Sequence, residues 1–282
     1  MPAVELTAGT IDYEDTGAGG PVVVLLGGVL LDGSVWDRVV ADLGRDHRCI
    51  VPTLPLGAHR RPMRTGADLS LNGFGRMAGE LIERLDLRDV TLVQNDHSAA
   101  LALAGRQPWR VARLVISSCE AFENYPPGLP GKNLRLIAMI PGGILVAAQA
   151  MRLRPVRRLP VTLGWMSKRP LPAGLVDRCL EPLQTRRGIR RDLRKYAAGA
   201  RRRQMLQVCG RLAAFDRPVL VVWTPEDRVQ RPEHGRRLAE LLPAARLVEI
   251  PDSYTLIMRD QPAAFARAIR EFVRETSPAA GS

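Results

Sequence analysis

In Leu92-Val93-Gln94-Asn95-Asp96-His97-Ser98-Ala99-Ala100-Leu101 an apolar run stops at a polar corner, and a run of small residues takes over. The first half reads as a buried strand, the second as a helix, with a sharp turn centred on Asp96. A corner of this kind lifts its middle side chain above the sheet and points backbone N–H groups at whatever binds there. The common form is Gly-x-Ser-x-Gly; here Asp96 takes the serine position, and Gln94 and Ser98 take the two glycine positions. Two roles fit. A carboxylate at the corner is already ionised, so it can attack a carbon without a base and form an ester that water later cleaves. Alternatively, Asp96 caps the helix by accepting from the N–H groups of Ala99 and Ala100.

Outward from this corner, the chain alternates strands and helices. Residues 4–6 and 10–14 read as short strands, followed by a glycine turn, Gly17-Ala18-Gly19-Gly20. Residues 21–26 form a continuous apolar run of the kind buried on both faces in a parallel sheet, ending at Gly27-Gly28. A helix over 35–43, a strand over 49–51 and a loop over 53–59 follow. The pattern then gives an amphipathic helix over 69–85, the strand 89–94, the helix 98–107 and a strand over 111–118. After Glu120, Pro126-Pro127-Gly128 and Pro130-Gly131 break the chain, and residues 125–210 read as an inserted cap of irregular helices. Strands over 218–223 and 246–250, a helix over 233–242 and a last amphipathic helix over 262–274 complete a core of 1–124 and 211–282, before a polar tail.

The chain has 282 residues and a formal net charge of +12, almost all of it from arginine, since Lys132, Lys168 and Lys195 are the only lysines. The charge is localised: residues 125–210 hold 18 basic and 3 acidic residues, the remainder 23 and 26. Cys49, Cys119, Cys179 and Cys209 lack the spacing of a metal or redox site, and no cofactor motif is present. Free thiols and a start without a basic segment followed by an apolar one point to the cytoplasm.

The order of strands and helices, with the insertion after the sixth strand, resembles the α/β-hydrolase fold over residues 4–276. The resemblance rests on the corner at Asp96, Gly27-Gly28, Trp223-Thr224-Pro225-Glu226-Asp227 after a strand, and Asp260-Gln261-Pro262 opening the last helix. It implies a mostly parallel eight-stranded sheet flanked by helices. Within that superfamily, the aspartate corner and His47-Arg48-Cys49-Ile50-Val51-Pro52 are most similar to haloalkane dehalogenases and epoxide hydrolases.

That likeness assigns Asp96 as nucleophile and expects an acid and a histidine to serve it. The acid station is filled twice, by Asp227 after the seventh strand and by Glu120 after the sixth. The histidine station is empty: 28 residues beyond Asp227 stands Thr255, whose hydroxyl is no base near neutral pH. His97, directly after the nucleophile position, and His59, in the loop after the fourth strand, are the candidates to replace it; His47 and His234 read as structural or exposed. Backbone N–H groups of His97 and Val29 would form the oxyanion hole, with Gly28 and Asn95 beside them. Val29 and His97 stand where dehalogenases carry a halide-binding Asn and Trp, and Tyr125 and Tyr196 are the cap tyrosines that epoxide chemistry would use. A pocket lined by Val29, Asp96, His97, Glu120 and Thr255 is therefore expected, with a small or medium apolar substrate.

The arginine clusters of the cap suit a solvated face, or attraction of an anionic substrate. Few aromatics lie among them, which argues against nucleic acid. Residues 136–151 are apolar, interrupted by Pro141-Gly142-Gly143 and too short to span a bilayer; they read first as pocket lining, and, flanked by arginines, second as a peripheral contact with an anionic membrane.

Overall fold

The computed structural model describes residues 1–17, 19–106 and 108–277; Ala18 of the glycine turn, the end of the 98–107 helix at Gln107, and residues 278–282 of the tail lie outside them. Its strands are β1 (Ala3–Leu6), β2 (Gly9–Asp15), β3 (Val22–Leu26), β4 (Arg48–Pro52), β5 (Val90–Asp96), β6 (Val111–Cys119), β7 (Val219–Trp223) and β8 (Ala245–Glu249). They form one sheet in the order β1-β2-β4-β3-β5-β6-β7-β8. The β1–β2 and β2–β4 pairs are antiparallel and every other pair is parallel, as expected of an α/β-hydrolase sheet.

The period of two along each strand divides the core. Val23 and Leu25, with Val93, Val115, Leu220 and Val222, face the helices Asp37–Leu43 and Pro262–Thr276. Val24 and Leu26, with Leu92, Leu114, Ile116 and Val221, face the helices Leu71–Arg84 and Ala99–Ala104 on the other side. Because both faces are covered, the central strands are apolar without alternation. The two helices on the second face pack closely over small residues: a Cβ at Gly75 would come 2.9 Å from the backbone of Ala102.

Between β6 and β7 the chain forms five helices, Gly128–Met139, Gly143–Ala150, Ala173–Thr185, Arg187–Gly199 and Arg202–Cys209. Pro130-Gly131, expected as a break, lies inside the first of these. A proline in a first helical turn removes an N–H that has no intrahelical acceptor, so the helix tolerates it there. No helix among the described residues is long and apolar enough to cross a membrane.

Candidate active site

β5 is buried along its whole length, including Gln94, Asn95 and Asp96 at its end. Asp96 has φ of 64°, the left-handed region that costs a residue with a side chain roughly 1–3 kcal/mol and that creates the corner. The helix cap comes from Gln94, whose Oε1 accepts from the N–H of Ala100 at 2.8 Å and Leu101 at 3.3 Å. The capping role considered for Asp96 therefore belongs to its neighbour two residues back. Ser98, in the other glycine position, donates its hydroxyl to the Glu120 carbonyl.

Freed from the cap, the Asp96 carboxyl turns the other way. Oδ2 accepts from the Val29 N–H at 3.0 Å, and Oδ1 accepts from Gln230 Nε2 at 3.3 Å. The turn after β3 passes so close that a Cβ at Gly28 would lie 2.3 Å from Asp96 Oδ2, so only glycine fits. The second expected oxyanion donor is otherwise engaged, because the His97 N–H points back to the Asn95 carbonyl at 2.8 Å, a consequence of the tight turn at Asp96. Burial, then the nearby charge of Asp227, pushes the Asp96 carboxyl up to about 7.

Asp96 opens into a cavity of about 250 Å³ between the sheet and the cap helices. Its polar lining is sparse, Asp96, Glu120 and Tyr196 with Asn133 and Thr162; the rest is dominated by groups such as Leu30, Val29, Leu134, Ile137, Met151 and Val229. Glu120 is fully buried and accepts from the Tyr196 hydroxyl at 3.2 Å, while its Oε2 has no partner among the described residues. Burial and then the charge of Asp96 raise Glu120 well above the ordinary carboxyl range, favouring the neutral acid. Two carboxyl groups facing one apolar space cannot both ionise cheaply, so their titrations are linked.

Several expected residues lie elsewhere. Thr255 is buried outside the cavity lining, its hydroxyl donating to Asp227 Oδ1 at 2.8 Å and its carbonyl accepting from Asn95 Nδ2 at 2.7 Å. Asn95 is thus a strut between β5 and the loop after β8, not a pocket residue. Asp227 Oδ1 also takes the N–H groups of Val229 and Gln230, each at 2.9 Å, and burial pushes its carboxyl up to about 6. His97 does not line the cavity; its ring is packed edge-on against Phe74 and Tyr196, and neither nitrogen has a hydrogen bond among the described residues. Burial pushes it down to about 3, which disqualifies it as a base near neutral pH. His59 is buried at the junction of core and cap, receiving the Gly57 N–H on Nδ1 and facing Asp192 at 3.3 Å through Nε2. Tyr125 is buried behind the cavity without lining it.

No arginine or lysine lines the cavity, so the charge of the cap gives no anion site next to Asp96. The residue that sequence reasoning missed is Gln230. Its backbone N–H holds Asp227, its side chain reaches Asp96, and its Oε1 accepts from Asn124 Nδ2 at 3.1 Å. It therefore stands between the acid and the carboxylate, the ground that a histidine base would need. Its place three residues after Asp227 was the one signal available.

The sequence profile of the alpha/beta hydrolase family matches residues 23–268. A curated relative, "Haloalkane dehalogenase" of Mesorhizobium japonicum, is 33% identical over 125 residues, which span 41% of this chain and 39% of that protein. "Haloalkane dehalogenase 2" of Mycobacterium tuberculosis is 26% identical over 281 residues, covering 93% of this chain and 91% of the relative. Among solved structures, an alpha/beta hydrolase fold protein from Burkholderia ambifaria superposes with a TM-score of 0.78 at 22% identity, over 96% of this chain and 97% of that one. A thermophilic esterase from Thermogutta terrifontis gives 0.73 at 23% identity, over 99% and 100%.

Proposed function

This chain belongs to the alpha/beta hydrolase family, near its haloalkane dehalogenase branch, and from that premise we propose that Asp96 is a carboxylate nucleophile acting on an uncharged apolar substrate. The observation that carries the reading is the Asp96 carboxyl, strained into the corner, gripped on Oδ2 by the Val29 N–H and open to an apolar cavity. Oδ1, held only by the longer bond from Gln230, attacks an electrophilic carbon; the bond from that carbon to its leaving group breaks, and the electron pair departs with the leaving group. Glu120, as a neutral acid, and the Tyr196 hydroxyl face the same space and can give a departing alkoxide its proton. Val29 offers no side-chain donor to a halide. An oxygen leaving group, as in an epoxide or activated ester, therefore suits the site better than a halogen.

Intact-protein mass spectrometry after exposure to epoxides, haloalkanes and activated esters tests this. The expected result is a stoichiometric adduct on Asp96 that forms faster as pH rises and levels off above about 7, because only the ionised carboxyl attacks. Gly28→Ala should slow adduct formation by about a hundredfold, since the added Cβ displaces the Asp96 carboxyl by an ångström or more. A second reading rests on Thr255 and Gln230 standing where a water-activating base is needed: a binding protein, or a lyase, isomerase or cyclase that moves protons with Asp96. Reversible ligand binding with no adduct and no product would select the binder, and product without an adduct would select the proton shuttle.

A further inference from the structure

We infer that the outer face of the cap is a docking surface for an anionic lipid bilayer. Eight of the eleven large hydrophobic side chains exposed among the described residues fall between Leu129 and Val161. In the helix Gly128–Met139 they follow the helical period: Leu129, Leu136 and Met139 lie on one face with Lys132, and are 58%, 60% and 61% exposed. The opposite side of the same helix supplies Leu134 and Ile137 to the cavity. A surface helix of a soluble domain ordinarily turns one apolar stripe inward and a polar face outward. This helix turns apolar residues both ways, and Val146 on the next helix, 69% exposed, extends the outer patch.

The charge around the patch names the occupant. Between Glu123 and Asp177 there is no acidic residue, whereas eight are basic; Arg157, Lys168 and Arg169 pair with Asp177, Glu226 and Asp252, and the other five have no acidic partner among the described residues. Beside the patch is a groove of about 610 Å³ with an apolar floor that includes Ile140, Ile144 and Leu145, and a wall that includes Arg187, Arg190 and Arg194. Arg190 and Arg194 bond the carbonyls of Leu183 and Ala138, and of the four arginines of this groove only Arg191 has an acidic partner among the described residues, Asp192. A second copy of this face would bring like charge against like charge. An anionic bilayer supplies what the face lacks, negative headgroups for the arginines and an acyl layer for Leu136, Met139 and Val146, while Lys132 reaches past the apolar stripe to the headgroups. The surface also puts the bilayer against a wall of the apolar cavity, which suits a substrate dissolved in lipid.

Cosedimentation of the full chain with phosphatidylcholine vesicles, with and without phosphatidylglycerol, tests the inference. Binding is expected to the mixed vesicles and to be at least about tenfold weaker with phosphatidylcholine alone. Each basic residue near a charged surface contributes about a fivefold factor in partitioning, so R190E/R194E should lower binding to mixed vesicles by at least about twentyfold. L136D/M139D should abolish it. These side chains are on the surface, and an unchanged thermal midpoint shows that each variant is folded. Equal binding to both vesicle types, or binding indifferent to both variants, overturns the inference. So does a lack of binding to either vesicle, including the case in which sedimentation shows that the apolar stripe closes a concentration-dependent dimer.

Discussion

Thr255→His combined with Gln230→Ala is expected to raise steady-state turnover by about a hundredfold to ten-thousandfold, the usual worth of a positioned general base. Thr255 already donates its hydroxyl to Asp227 at 2.8 Å, the bond through which an imidazole N–H would be oriented. The opposite ring nitrogen then points toward Asp96, but that ground is held by the Gln230 side chain, whose Nε2 bonds Asp96 Oδ1. Thr255→His alone should therefore gain much less than the pair. Truncating Gln230 leaves its backbone bonds to Asp227 and Trp223 intact, and Asn124 keeps the Val229 carbonyl at 2.9 Å as an acceptor. Burst kinetics check the expectation: the wild type should release about one equivalent of leaving group and then stall as the Asp96 ester. The double variant should turn over continuously, with the adduct no longer accumulating. An adduct that persists unchanged in the double variant would mean that water activation is not what limits the wild type.

The fold was legible because its determinants are local and repeated. The buried strands of a parallel sheet are mostly apolar, and Val22–Leu26 and Val219–Trp223, unbroken, and the first half of β5, interrupted only by Thr91, declare themselves without reference to the rest of the chain. Asp96 and Glu120 were legible as candidates for a related reason, since each closes such a strand after a short stretch, Gln94-Asn95 and Ser117-Ser118-Cys119, in which the apolar run has ended. What failed to read was set by rotation and packing over long sequence distances. Nothing in the sequence says that His97 turns behind the cavity to meet Phe74 and Tyr196, although adjacency to Asp96 suggested the pocket. His59 reads as a candidate base in a loop because its partner, Asp192, is 133 residues away in the cap. Gln94 carried no capping signature, because helix caps are ordinarily sought at the last residue before the helix, not on the strand. The sequence gives the number of arginines in the cap, but a number does not say that none of them lines the cavity.

Asp96→Asn is expected to remove the Asp96 share of the pH dependence of stability, leaving that of Asp227 and Glu120, while abolishing the adduct. In the unfolded chain Asp96 titrates near the ordinary aspartate value of 3.8, whereas in the folded protein burial pushes it up to about 7. Between those values the folded state holds a proton that the unfolded state has released. Unfolding then becomes easier with every rise in pH, and the loss is complete once the pH has passed the folded value. A shift of this size corresponds to about 4 kcal/mol of stability present below pH 4 and missing above pH 7. Asparagine keeps the Val29 N–H satisfied through its carbonyl but carries no titrating proton, so it should escape this loss. Its NH2 then meets the Gln230 Nε2, a contact between two donors that lowers stability by a similar amount at every pH and so leaves the slope untouched. Urea unfolding of both proteins between pH 4 and pH 8 separates the two effects. Parallel curves would mean that the Asp96 carboxyl is hydrated and ionised in the folded protein. A variant less stable than the wild type by a constant amount at low pH, with the wild type alone losing stability as pH rises, would place the destabilising charge on the carboxyl that attacks the substrate.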